Sequence, residues 1–137
     1  PAIADYAAEL LAADGLDLTE KDSYIDSREK VHFNRLSAAE RKALIEKNPA
    51  YGRVICRCET VTEGEILDAI HSPIPPVSVD GIKRRTGAGM GRCQGGFCGP
   101  RVVDLLAREL GVSPLTILQD RDGSEILTAY TKGEVRA

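Results

Sequence analysis

Four cysteines carry the chemistry this sequence can do. They form two close pairs, Cys56-Arg-Cys58 and Cys93-Gln-Gly-Gly-Phe-Cys98, with 34 residues between the pairs. A disulfide inside Cys56-Arg57-Cys58 would be badly strained, and nothing in the sequence marks an oxidising compartment, so structural disulfides are disfavoured. Four unrelated buried thiols would have to form two close pairs by chance. Metal binding is what remains. Zinc sites made of four cysteines usually use C-x-x-C knuckles, which leaves C-x-C followed by C-x-x-x-x-C off pattern. Iron–sulfur clusters accept varied spacings. A [2Fe–2S] rhomb needs two ligands on each iron, and folding could bring two pairs together to supply them. Spacing leaves open which cysteines share an iron.

The surroundings favour an anionic cluster over a lone ion. Residues 87–99 contain six glycines, Gly87, Gly89, Gly91, Gly95, Gly96 and Gly99. Backbone N–H groups in such a loop can point at sulfur with no side chain in the way. A helix opening after Cys98 would aim its positive end at the same place. From Gly81 to Val103 there is no acidic residue, while Lys83, Arg84, Arg85, Arg92 and Arg101 all fall there. Positive charge near a cluster raises its potential and eases electron uptake.

Several elements must position the cysteines. Residues 1–14 read as a helix with Ile3, Ala7, Leu10 and Leu11 on one face and Gly15 at its end. Residues 16–36 read as an extended connection. Ser37-Ala-Ala-Glu40 is a capping box that starts a helix over 37–47, stopped by Asn48-Pro49. A short strand over 53–56 leads into the first cysteine pair. Thr62-Glu-Gly-Glu65 is a second capping box, with Val61 and Ile66 placed as a hydrophobic staple. It opens a helix over 62–71 that buries Ile66, Leu67 and Ile70. Ser72-Pro-Ile-Pro-Pro76 is a loop, and Asp80 caps a short helix through Thr86. Pro100 opens a helix through Leu110, stopped by Gly111, and Ser113-Pro114 starts one more short helix. The tail after Asp120 reads as extended.

The chain of 137 residues fits one domain or a small domain plus an arm, and with aromatics at 4% and no Trp its core must be aliphatic. A net charge of −3 argues against nucleic acid as a partner. No transmembrane segment and no secretion signal is visible. The start at Pro1, without Met, suggests a piece of a longer polypeptide.

Taken together, Cys56-Arg-Cys58-Glu59, Val61-Thr-Glu-Gly-Glu-Ile66, Asp80-Gly-Ile-Lys-Arg-Arg-Thr86 and Gly89-Met-Gly-Arg-Cys-Gln-Gly-Gly-Phe-Cys98 resemble the [2Fe–2S] domain of the bacterioferritin-associated ferredoxin (BFD) type. More narrowly, they resemble its version at the end of FAD-dependent, anaerobic-type glycerol-3-phosphate dehydrogenases. The small ferredoxin ends in C-x-x-C, and the longer spacing here matches the dehydrogenase-linked branch. The resemblance implies a mostly α fold with short β segments (α+β), a helix–loop–helix domain over 50–137 after an N-terminal helical arm over 1–49 that ends a flavin domain. It implies Cys56, Cys58, Cys93 and Cys98 as cluster ligands, and Pro1 and Ala2 near the pyrophosphate of FAD in the parent. The implied role is relay of electrons from that flavin domain of the same polypeptide to a downstream acceptor subunit or carrier. The implied setting is cytoplasmic, or peripheral to the inner face of the membrane through a partner.

Other residues carry blander readings. His71 sits where a histidine suits a helix end, and four cysteines leave no vacancy for a Rieske-type histidine. His32 is expected to face solvent. Glu59, Glu63 and Glu65 suggest acid–base work, but the capping box accounts for Glu65, and no nucleophilic arrangement is visible, so no substrate-converting site is expected. Two alternatives compete with electron transfer: a zinc or copper module without redox role, and a thiol sensor confined to Cys56 and Cys58.

Overall fold

A computed structural model describes residues 1–19, 21–25 and 27–131. The chain divides into two compact units, Pro1–Lys30 and Val31 onward. The first holds α1 (Ala2–Ala13), none of whose residues is buried; Ile3, Tyr6, Leu10 and Leu11 are all exposed. Gly15 follows in the left-handed conformation, as expected of a helix stop.

The second unit is mostly helical with one small sheet. It contains α2 (Ala38–Lys47), β1 (Val54–Cys56), β2 (Val61–Thr62), α3 (Glu63–Ile70), α4 (Val79–Thr86) and α5 (Gly99–Leu110), with short 3-10 turns between them. It begins well before residue 50, because residues within the expected connection fold into it. Phe33 is buried, its N–H donates to Glu65 Oε1 (3.1 Å), and Arg41 lies over its ring at 5.2 Å. A lone aromatic in a charged stretch gives no periodic signal, so sequence reading treats it as connection.

Both capping boxes form as expected. Ser37 and Glu40 exchange side-chain and backbone hydrogen bonds at the start of α2, and Thr62 and Glu65 do so at α3. Such a box satisfies two orphan N–H groups of the first turn. Ile66 and Ile70 are buried as expected, whereas Leu67 is half-buried. β1 and β2 pair antiparallel, Val54 opposite Thr62 and Cys56 opposite Val61, and the intervening turn presents Cys58.

The cap of α4 differs from expectation. Ser78, not Asp80, is the N-cap; its Oγ accepts from Gly81 N–H (3.1 Å), while Asp80 accepts from Gln119 Nε2 (2.7 Å). The tail is not simply extended either. Leu118 and Gln119 carbonyls accept the N–H groups of Val79 and Asp80 at 3.1 and 2.8 Å, and Leu118 bridges to Glu125 across a turn. The tail thus satisfies first-turn donors of α4, a long-range partnership that no local pattern encodes. Beyond Thr131 the expected extension lies outside the described residues.

Ile66, Ile82, Leu106 and Ile117, contributed by α3, α4, α5 and the tail, form the most deeply buried part of the core. Each such side chain stabilises by roughly 1.5–3 kcal/mol through burial. One contact is unusually tight. A Cβ on Gly64 would lie 2.6 Å from Cδ2 and Cγ of the Tyr51 ring. That ring is buried, and its hydroxyl donates to Asp68. Gly64→Ala is therefore expected to lower stability by about 1–3 kcal/mol even though alanine is the better helix former. A urea midpoint that rises, with unchanged slope, would contradict this.

Candidate metal centre

Each cysteine is delivered by a different local device. Cys56 ends β1 with its side chain in the core, 1% exposed, and Cys58 stands exposed in the turn after it. Cys93 is half-buried in the glycine loop, and Cys98, 2% exposed, is the N-cap residue of α5. The loop is wound by successive backbone bonds: Gln94 N–H to Gly91 carbonyl, Gly96 N–H to Cys93 carbonyl, Gly99 N–H to Gly95 carbonyl.

The two sequence pairs come together crosswise. Cys58 Sγ lies 3.6 Å from Cys93 Sγ, and Cys56 and Cys98 share a hydrogen bond. Among the described residues no three of His, Cys, Asp or Glu surround a single point that could hold one ion. Two pairs of thiols in contact are what two irons ask for, rather than one tetrahedral ion.

The environment of the pairs is unequal. At Cys93 the backbone N–H of Phe97, a hydrogen bond from Cys58, and the N–H groups of Gly95 and Gly96 outweigh burial and lower the thiol below its usual range. This is the backbone cradle that the glycines suggest. Cys98 is pushed up to about 11, first by burial, then by the proximity of Cys56 and of Cys93. Its folded value lies above the ordinary 9.0, so its contribution to stability is intact below that pH and is lost as pH rises through about 11. In protein stripped of metal, iodoacetamide at pH 8 should modify Cys93 and Cys58 at least about tenfold faster than Cys98. Peptide mapping that finds Cys98 modified first would refute this ordering.

Backbone strain is concentrated here. Thr60 (φ 54°) and Gln94 (φ 48°) are the non-glycine residues with positive φ among the described residues, and each follows a cysteine closely. Gln94 is held by its own side chain, whose Nε2 donates to the carbonyls of Met90 (3.1 Å) and Gly91 (2.9 Å). Gly91 permits the two loops to meet: a Cβ there would fall 2.2 Å from Cys58 Cβ and 2.8 Å from Glu59 Oε1. Donor chemistry, amide cradle and this close approach all fit an anionic sulfur cluster.

These observations agree with a comparison across known proteins, in which residues 54–108 match the BFD-like [2Fe-2S] binding domain. This segment is a BFD-like [2Fe–2S] binding domain. The chain is 47% identical over 137 residues to the glycerol 3-phosphate dehydrogenase of Caloramator mitchellensis, covering 99% of this chain and 28% of that protein. It is 38% identical over 95 residues to hydrogen cyanide synthase subunit HcnB of Pseudomonas aeruginosa, covering 61% of this chain and 20% of HcnB. It is 36% identical over 66 residues to an anaerobic glycerol-3-phosphate dehydrogenase of Escherichia coli, covering 48% of this chain and 12% of that protein. The chain thus spans less than a third of the length of these relatives. No solved structure gives a significant match.

The remaining candidates fall away from the cysteines. His71 closes α3 and meets Glu109 at 2.9 Å, and His32 is exposed. Glu63 is a buried charge that sequence reading did not single out as structural. Arg53 (2.5 Å) and Arg108 (3.0 Å) both bind it, and the Arg53 bond, joined by Arg108, holds its carboxyl below the usual range despite burial. Within the expected basic stretch, Arg84 pairs with Asp120 and Arg85 donates to the Ile74 carbonyl, leaving Arg92 and Arg101 nearest the cysteines in sequence. No helix among the described residues is long and apolar enough to cross a membrane.

Proposed function

We propose that Cys56, Cys58, Cys93 and Cys98 hold the [2Fe–2S] cluster of the BFD-like domain, and that the domain relays electrons from FAD to an acceptor within a larger oxidoreductase. The crosswise meeting of the four thiols, two exposed or half-exposed and two buried, is the observation that carries this reading. When bound, the cluster supplies one-electron redox chemistry. The chain's own part is to set distance and potential. The amides of Gly95, Gly96 and Phe97 stabilise negative charge at the Cys93 sulfur, and the N-terminus of α5 adds its partial positive charge beside Cys98.

The names of the relatives support a relay over a substrate site. Glycerol 3-phosphate dehydrogenase, hydrogen cyanide synthase and opine oxidase act by name on different compounds, yet share this segment. What they share is then a step common to all, which single-electron transfer is. Glycerol 3-phosphate as the parent's substrate rests on the relative that matches along the whole chain, arm included. On this reading residues 1–49 end a flavin domain, with Pro1 and Ala2 near the FAD pyrophosphate, and the parent is cytoplasmic or peripheral to the membrane through a partner.

Anaerobically prepared protein decides between this and a zinc or copper module. Two irons and two sulfides per chain, charge-transfer bands in the visible and an EPR signal on reduction are expected. Stoichiometric zinc without iron would overturn the proposal.

A further inference from the structure

The arginines near the cysteines differ from the rest. Arg53 and Arg108 are bound to Glu63, and Arg84 to Asp120. Arg57, Arg92 and Arg101 are exposed and, among the described residues, make no hydrogen bond or ion pair. Arg57 stands between Cys56 and Cys58, Arg92 beside Cys93, and Arg101 in the first turn of α5, three residues after Cys98. A cation at a helix N-terminus is unfavourable to the helix, so Arg101 does not serve α5. Neither Arg57 nor Arg92 neutralises a carboxylate; the one carboxylate brought against the loop is that of Glu59, facing Gly91.

Exposure singles out one edge of the site. Cys58 is exposed and Cys93 half-buried, whereas Cys56 and Cys98 are enclosed. Phe97, in the same loop, is 83% exposed and Met90 is 51% exposed. Arginine and aromatic residues are the types that anchor protein interfaces, and unpaired charge steers a partner of opposite sign.

We propose, resting on the cluster reading above, that the Cys58–Cys93 edge is the electron exit port and docks a protein acceptor whose contact surface is acidic. Each transfer moves one electron: a ferrous iron becomes ferric, the acceptor gains that electron, and no bond or proton moves.

Two redox-inert paramagnetic probes report charge without electron transfer. In cluster-loaded protein, the trianion hexacyanochromate(III) is expected to broaden NMR signals of the Phe97 ring and the Arg101 amide selectively, and the trication hexaamminechromium(III) is not. Combining Arg57→Glu, Arg92→Glu and Arg101→Glu should abolish the anion's effect. It should also slow oxidation of the reduced protein by ferricyanide about tenfold or more, without slowing oxidation by hexaammineruthenium(III). Arg101→Glu alone, which suits a helix N-terminus, serves if the triple variant does not fold, with about threefold slowing expected. Phe97→Ala keeps every charge and should leave the ratio of the two rates within about twofold. Equal responses to the two charge types overturn the port and its acidic acceptor while leaving the cluster reading intact. Absence of iron overturns the cluster reading, and with it the port as an exit for electrons.

Discussion

Gly91→Ala is expected to cost the protein nearly all of its iron, at least tenfold, while the helices still form. The added methyl would stand 2.2 Å from Cys58 Cβ and 3.4 Å from Cys58 Cα, so backbone, not a flexible side-chain end, must give way. Gly91 is also an acceptor for the Gln94 side chain and backbone N–H, so displacing it loosens the turn that carries Cys93. Overpacking of this kind destabilises by roughly 1–3 kcal/mol, yet the larger effect falls on the 3.6 Å approach of Cys58 to Cys93. Gly87→Ala is the comparison. Gly87 has φ 83° with open space around its Cβ position, so alanine there brings only left-handed strain, about 1 kcal/mol, and iron should remain. Iron and sulfide content after anaerobic reconstitution, with far-UV circular dichroism as the folding check, separates the two. Full iron in the Gly91→Ala protein would show that the loops need not meet.

Much of what builds this site is local, and the local part is legible in the sequence. A capping box is a four-residue statement, and both Ser37–Glu40 and Thr62–Glu65 form as written. The glycine stops at Gly87 and Gly111 likewise follow from backbone sterics alone. What escapes is long-range. Asp80 reads as a cap because it precedes a helix, but the docked tail supplies Gln119 as its partner and leaves Ser78 to cap. Glu63 reads as a first-turn acid, and only the fold brings Arg108, 45 residues away, to share it with Arg53. The cysteines are legible as ligands by type and spacing. Their crosswise pairing is not, because it depends on where β1 and α5 lie after folding. Arg57 belongs to the same class: it falls outside the acid-free stretch and joins Arg92 only as a neighbour of the contacting cysteines.

Serine at Cys98 and serine at Cys58 should both abolish normal cluster loading, yet only the first should weaken the metal-free fold. Each change removes one thiolate from a set of four, so loss of the visible bands is expected from either. The two positions differ in surroundings. Cys98 is 2% exposed within a cluster of buried residues that includes Val102 and Leu106, and its thiol behaves there as a small hydrophobe. A hydroxyl in that place must find a partner or remain unsatisfied, a penalty of about 1–3 kcal/mol. Cys58 is exposed, where serine stays hydrated and stability should hold within roughly 0.5 kcal/mol. Urea melts of the two metal-free variants against the metal-free parent measure this difference. The arrangement also predicts partners: Cys56→Ser should resemble Cys98→Ser, and Cys93→Ser should resemble Cys58→Ser. Grouping instead by sequence, Cys56 with Cys58 and Cys93 with Cys98, would contradict the crosswise pairing and the solvent-facing edge built on it.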